Sequence, residues 1–476
     1  MRRPRIAIIG GGITGLTAAY HLRTWSKDNG IPIECTLYEA SSRLGGKILT
    51  MQDRDFTTEQ GPDSIFTMKK DGVDLLTDLG MADQIIHAKT GKTALLRNRT
   101  LYPMPRDLHA GIPAKWSSMA LSPLLSLRGK LRALGDLVLP RSSETSVQTQ
   151  SLGRLLRNRF GNEVVDQIAA PLLAGIHAAD IDRMSIGDAA PAIAQLTQNH
   201  RSLLLGAKKS KKRGRHIPSA HTSSPFISLQ GGLSALVEEL FTKSQDVVQY
   251  KMDTVIANLR RESNGRYTFV CQTGDTSAQM EVDAVILATP AYATAAIVET
   301  FTGLSDLLRS IRYASTATVI LGFPADTFPG SNDMTGFLVP RSERLSITAC
   351  TIVSAKWPTF TNRKTVLVRC YVGRDGEEDL LTKKDEEIVQ NVVDDLCAIW
   401  NVKLAPSFRK LTRWPVSMPQ YDVGHAKRVA RVEQLLNAFP GIVLAGSAYR
   451  GMGIPDCIKD GKRAAQHIIH HVTQME

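Results

Sequence analysis

Gly10, Gly11, Gly12 and Gly15, followed at a distance by Glu39, are the residues whose types and spacing first suggest chemistry. Glycines in a strand-to-helix turn let backbone N–H groups approach a phosphate with no Cβ in the way, and an acid closing the next strand accepts hydrogen bonds from ribose hydroxyls. The pattern predicts a dinucleotide grip over Gly10-Gly11-Gly12-Ile13-Thr14-Gly15. Gly10 serves the tight turn, Gly12 the approach to a pyrophosphate and Gly15 the packing of the helix on its strand. A second glycine pair follows in Ala40-Ser41-Ser42-Arg43-Leu44-Gly45-Gly46-Lys47, with flanking bases placed to meet the same phosphates from the other side. Farther on, Lys69 and Lys70 stand just beyond a polar turn, Glu59-Gln60-Gly61-Pro62-Asp63-Ser64. A lysine there can reach an anionic substrate or be a solvated surface base.

These groups need elements to hold them. The apolar run Arg5 to Ile9 reads as a buried strand, the stretch after Gly12 as a helix, and Glu34 to Tyr38 as a second strand. The loop Lys27 to Pro32 lengthens the connection between them, which explains the wide spacing to Glu39. Asp53 to Thr57 resembles an edge strand, Gly72 to Leu79 a helix stopped by Gly80, and Leu101 to Pro105 is too proline-rich for a regular element. Ser122 to Leu139 carries Leu124, Leu127, Leu131, Leu134 and Val138 at helical intervals among Arg128, Lys130 and Arg132. Such a face packs on another helix or lies on an anionic membrane. Ser142 to Gln150 reads as a polar loop, Leu152 to Phe160 and Val164 to His177 as helices, and the charge run Lys208 to Arg215 as an exposed loop.

From Ile227 onwards the α/β pattern returns. Leu229 to Leu233 opens a helix through Phe241, Val255 to Leu259 and Tyr267 to Cys271 alternate as strands, and Ala284 to Pro290 is a buried strand with its turn. Ala317 to Phe323 and Thr365 to Val372 are strands of a separate sheet region that contains one acidic helix, Asp385 to Trp400. Ile442 to Gly446, the turn Gly451 to Pro455 and a helix from Asp456 to Val472 close the chain. Free amides at the start of that last helix would stabilise negative charge on a reduced ring system, so the chain is expected to begin and end in one domain.

Composition narrows the class. A chain of 476 residues with 43% hydrophobic content can bury a large core in two or three domains. The net charge of +12 favours an acidic ligand, an anionic membrane surface or nucleic acid. No nucleic-acid motif accompanies the basic run, so nucleic acid is not an expected partner. Six dispersed cysteines show neither a C-x-x-C pair nor metal-ligand spacing, giving a reduced cytosolic setting and no metal site. No stretch is apolar for long enough to span a bilayer.

The glycine loop, EASSRLGGK at Glu39 to Lys47, GPDS at Gly61 to Ser64, LYPMP at Leu101 to Pro105, PLLAGIHAAD at Pro171 to Asp180, RWPVSMPQYDVGH at Arg413 to His425 and GMGIPDCI at Gly451 to Ile458 together resemble the protoporphyrinogen oxidase family of FAD amine oxidase-like proteins. Within it they resemble the oxygen-dependent coproporphyrinogen III oxidases of the Gram-positive type. The resemblance implies an α/β architecture, α+β overall: a discontinuous Rossmann-like FAD-binding domain (1–57, 225–292, 426–476), a sheet-based substrate domain (58–96, 188–224, 293–425) and a helical domain (97–187). It implies FAD against Gly10, Gly11, Gly12, Ile13, Thr14, Gly15, Glu39, Ala40, Lys47, Gln60, Gly61, Pro62, Asp63, Val255, Trp414, Gly453, Ile454 and Pro455. Lys69 matches a base near the substrate carboxylates, and Tyr371, in RCYVG, an aromatic position of the same cavity. The family's usual PL-x-SGIYAGD segment differs here at Ala174, His177 and Ala179.

The implied reaction is oxidation of coproporphyrinogen III to coproporphyrin III with O2 as acceptor, giving hydrogen peroxide, in haem biosynthesis. Transient contact with other haem-pathway enzymes and peripheral contact with the inner face of the cell membrane accompany it as expectations. Protoporphyrinogen IX oxidation, FAD amine oxidation and a non-catalytic binding role in the same fold stand as alternatives.

Overall fold

The computed structural model describes residues 2–105, 108–109, 111–113, 116–141, 148–214, 224–329, 333–362 and 364–475. Its centre is a five-stranded parallel sheet in the order Val248–Lys251, Glu34–Tyr38, Arg5–Ile9, Ala284–Leu287, Ile442–Leu444. Ile8 lies between Leu37 and Ile286 in register. Both faces of the first strand are covered. Ile6 and Ile8 enter a core with Leu16, Leu22, Ile458 and Ile468, while Ala7 and Ile9 enter another with Tyr38, Val285 and Phe269. This is why Arg5–Ile9 reads as a continuous apolar run instead of an alternating one.

The first helix (Ile13–Asn29) ends at Gly30 in the left-handed conformation. The last helix (Ile454–Thr473) crosses it closely enough that a Cβ on Gly461 would sit 2.3 Å from the Thr14 carbonyl oxygen. The two ends of the chain thus share one core, as the sequence pattern predicts.

A seven-stranded sheet carries the order Phe408–Pro419, Tyr313–Pro324, Thr365–Val372, Ile347–Ile352, Met334–Leu338, Lys92–Arg97, Thr100–Pro103. Its period of two decides what faces the site. Val368, Cys370 and Val372 lie in the core under the acidic helix Asp385–Trp400, which leaves Arg369 and Tyr371 on the opposite face. Helices between Trp116 and Gly214 enclose a fourth core around Leu155, Val165, Ile168 and Ile193. Among the described residues no helix is long and apolar enough to cross a membrane.

Several sequence expectations need correction. Asp53 to Phe56 is the turn of a hairpin joining Thr50–Gln52 to Thr57–Glu59, not an edge strand. Thr100–Pro103 is a strand at the sheet edge, where proline is tolerated. The charge run is helical through Gly214: Ser202 and buried Asp136 accept the N–H groups of its first turn, and Leu203, Leu204 and Ala207 anchor it. Arg215 and most of the expected loop 142–150 lie outside the described residues. Ser122 to Leu139 forms only a short helix, Leu127–Ala133, and a 3₁₀ turn. Leu124 packs into the helical core, but the expected stripe does not continue inward: Leu127 and Leu131, one turn apart, are 74% and 60% exposed.

Candidate active site

The glycine loop closes around backbone atoms. Gly10 has φ +108°, and a Cβ on Gly15 would lie 2.0 Å from the Gly10 carbonyl oxygen, so neither position accepts a larger residue. Gly12 has open space where its Cβ would be. It starts the first helix in extended conformation, with no side-chain cap and no acid in the first turn. The helix therefore presents unclaimed N–H groups and a positive dipole end on an open side.

The second glycine pair sits directly on this loop. Gly45 N–H donates to the Gly11 carbonyl at 2.8 Å, and a Cβ on Gly46 would meet Gly12 Cα at 3.1 Å. The flanking bases do not turn to the phosphate side. Arg43 donates to the carbonyls of Leu44, Gly46 and Ile48, bracing its own turn, and Lys47 Nζ donates to the Ser417 carbonyl. Burial pushes the Lys47 ammonium below its usual range.

Glu39 closes the second strand. One carboxylate oxygen accepts from Gly11 N–H at 2.7 Å, the other from the N–H and Oγ of Ser41 at 2.9 and 2.7 Å. It thus fixes the loop's shape, and a carboxylate with three such bonds retains acceptor capacity. Its carbonyl accepts from Thr254 N–H, which places half-exposed Val255 beside it, and Ala40 lies exposed at the rim. A run of backbone donors, the open face of Gly12 and one bracing carboxylate fit the pyrophosphate and ribose of a dinucleotide.

Farther along, Gln60 is the hub of the Gln60–Asp63 loop. Its carbonyl accepts from Trp414 Nε1 at 2.9 Å and Thr318 Oγ1 at 2.7 Å, and its Oε1 from Thr412 Oγ1 at 2.6 Å. Gly61 is packed so tightly that a Cβ would lie 1.9 Å from the Lys47 carbonyl oxygen. Val416, at φ +45°, interrupts the strand carrying Trp414; a β-branched residue there is strained, and the register slips opposite it between Ala314 and Thr316.

Two charged residues absent from the sequence prediction hold this loop. Lys356 Nζ bonds Asp63 at 2.8 Å. Arg369, 3% exposed, donates to the Glu59 carbonyl at 3.1 Å and to Tyr371 Oη at 2.6 Å, with its guanidinium over the Tyr371 ring. Burial acts to raise the Asp63 carboxyl, but Lys356 and Arg369 overcome it and hold the group below the usual range. The only sequence signal for Arg369 is a charge inside an otherwise apolar strand, VLVRCYV.

Lys69 lies elsewhere, against the closing turn. Its ammonium bonds both carboxylate oxygens of Asp456 at 2.6 Å. A Cβ on nearby Gly72 would meet the Pro455 ring at 3.4 Å, so the two segments pack together. His177 shares this neighbourhood. Burial first, then the Lys69 charge, pushes its imidazole down to about 4, so it is neutral at physiological pH. Ala178, next to it, is in the left-handed region at φ +47°. The side chains of Ala174 and Ile176 lie outside the described atoms. The structure therefore joins Lys69 to the Gly453–Pro455 turn and Tyr371 to the Gln60–Asp63 loop, as two walls and not as one contacting pair.

The chain matches the flavin containing amine oxidoreductase family over residues 13–469. It is similar to the coproporphyrinogen III oxidase of Bacillus subtilis (strain 168), 38% identical over 472 residues that cover 99% of each chain. It is also similar to the coproporphyrinogen III oxidase of Staphylococcus aureus, 32% identical over 475 residues and 98% of each chain. Among solved structures, a protein from Exiguobacterium sp. 255-15 superposes with TM-score 0.85 at 33% identity, covering 98% of this chain and 99% of that one. Wild-type putrescine oxidase, at TM-score 0.68 and 14% identity, shares the fold.

Proposed function

The chain belongs to the flavin containing amine oxidoreductase family, and from that premise we propose that it oxidises coproporphyrinogen III to coproporphyrin III with O2 as electron acceptor. The full-length likeness to enzymes named for that reaction carries the reading. FAD, when bound, accepts the electrons of three successive two-electron oxidations and passes them to O2, giving hydrogen peroxide.

The chain's own residues bind and orient. Gly10 to Gly15, Glu39 and Val255 hold the adenosine and pyrophosphate end. Lys47, the Gln60–Asp63 loop, Trp414 and the Gly453–Pro455 turn surround the ring end, and Lys356 and Arg369 keep that loop in place. Lys69 attracts a propionate, and Tyr371, fixed by Arg369, presents an aromatic wall to the macrocycle. We propose the same division into FAD-binding, substrate and helical segments, with the helices Pro191–Asn199 and Leu203–Gly214 grouped with the helical segment whose core they share. The enzyme works in the cytoplasm, and O2 and the enzymes flanking this oxidation are its further partners.

Peripheral contact with an anionic membrane is supported by exposed Leu121, Leu127, Leu131 and Val138, with Arg128 and Lys130 in the same segment. Co-sedimentation with phosphatidylglycerol vesicles, lost in Leu127→Ser/Leu131→Ser, tests it. For the activity, anaerobic mixing of the yellow holoenzyme with coproporphyrinogen III should bleach the flavin band, with coproporphyrin III as product. A flavin that stays oxidised refutes the assignment.

A further inference from the structure

The base offered to the substrate is already paired. Lys69, 51% exposed, is held by both oxygens of Asp456, which is 15% exposed. The two partners differ in freedom. Asp456 sits in the first turn of the last helix and accepts the Gly453 N–H at 3.2 Å. Its Cγ occupies the space where a Cβ on Gly451 would lie, 2.5 Å away, and Gly451 itself has φ +132°. Asp456 is therefore locked from two sides, whereas Lys69 is a flexible four-carbon stem whose charged end reaches solvent.

We infer that Asp456 is a specificity-determining residue: an internal carboxylate that occupies Lys69 until a substrate carboxylate exchanges for it. This rests on the porphyrinogen reading above. An exposed ion pair is held weakly, so Lys69 is available for exchange. After exchange, Asp456 faces the incoming anion with its cap bond intact and its cation shared or lost. An anion that does not reach Lys69 directly meets the Asp456 charge without the compensating contact, so the pair admits only ligands that place a carboxylate squarely on the lysine. Neutral His177 beside the pair adds no second cation to relax that requirement. Beyond Lys69 and Asp456, Arg341 donates to the Ala179 carbonyl and the Asp375 N–H to the Ala178 carbonyl, both acting on backbone beyond the ring.

The test compares two ligands on FAD-loaded protein: coproporphyrin III, which bears carboxylates, and its tetramethyl ester, which bears none. Asp456→Asn should bind coproporphyrin III roughly three- to tenfold more tightly than the unmutated protein and lower KM for coproporphyrinogen III, while affinity for the ester stays unchanged. Asp456→Ser keeps a cap acceptor without the charge, and should behave the same way if the asparagine variant folds poorly. Weaker or unchanged coproporphyrin III binding, or an equal shift for both ligands, overturns the exchange role and indicates a structural cap. If the unmutated protein neither binds coproporphyrin III nor is reduced by coproporphyrinogen III, it is the functional reading that fails, not the exchange alone.

Discussion

Around Gly10 to Gly15 the contacts are made by the main chain, with an open Cα face at Gly12, unclaimed N–H groups and a carboxylate from Glu39 that mainly shapes the loop. Around Lys69 and Asp63 they are made by side chains whose partners lie hundreds of residues away, as does the Glu59 carbonyl that Arg369 holds while it fixes Tyr371 two positions along its own strand. The first kind of site is intolerant of added volume and indifferent to most charges. The second depends in addition on each charge having its partner. On the proposed function, the difference follows from the ligand ends: a pyrophosphate is read by dipoles at short range, a polycarboxylate macrocycle by cations on longer arms.

The largest effect should come from adding volume at the main-chain end. Gly15→Val puts a side chain 2.0 Å from the Gly10 carbonyl, where overpacking costs at least about 1–3 kcal/mol. The purified protein should be colourless by absorbance and melt early. A yellow, stable Gly15→Val protein would break the contrast. Next, Lys356→Met leaves Asp63 without its nearest cation, and breaking such a largely buried pair should cost about 3 kcal/mol in chemical denaturation. Double substitution with Asp63→Asn should recover part of it.

Lys69→Ala should raise KM for coproporphyrinogen III about tenfold, the equivalent of about 1.4 kcal/mol, with flavin content unchanged. Loss of flavin would show that the two ends are not separable. A pH dependence is also expected. Burial pushes the Glu59 carboxyl up to about 7, against the lowering influence of the Leu233 N–H and the Thr50 hydroxyl. A carboxyl raised on folding contributes stability that is fully present below the unfolded value of about 4.3 and lost as pH rises through about 7. The melting temperature should therefore fall across that window, and Glu59→Gln should flatten the decline.

The main-chain end was legible because its requirements are local. A glycine needed for φ +108° at Gly10, or for the helix to pack on its own turn at Gly15, is specified within a few residues of sequence. The hydrophobic period also placed the strand Ala284–Leu287 and the helices Leu152–Phe160 and Asp385–Trp400 closely. It failed where it was asked which way a face points. Leu127 and Leu131 have the spacing of a packed stripe, yet they are exposed, because periodicity marks a face and not its partner. The run Lys208 to Gly214 looked like a solvated loop because its capping acid, Asp136, is distant in the chain.

The sequence by itself determined the dinucleotide turn, the return of the last helix to the first strand's domain, and, through its motifs, the family. Only the tertiary structure decided that Arg369 and Lys356 fix the Gln60–Asp63 loop and that Lys69 is held by Asp456, 387 positions away. Backbone conformation is dictated by neighbours along the chain, whereas the partner of a charge is dictated by neighbours in space, and no local pattern encodes those.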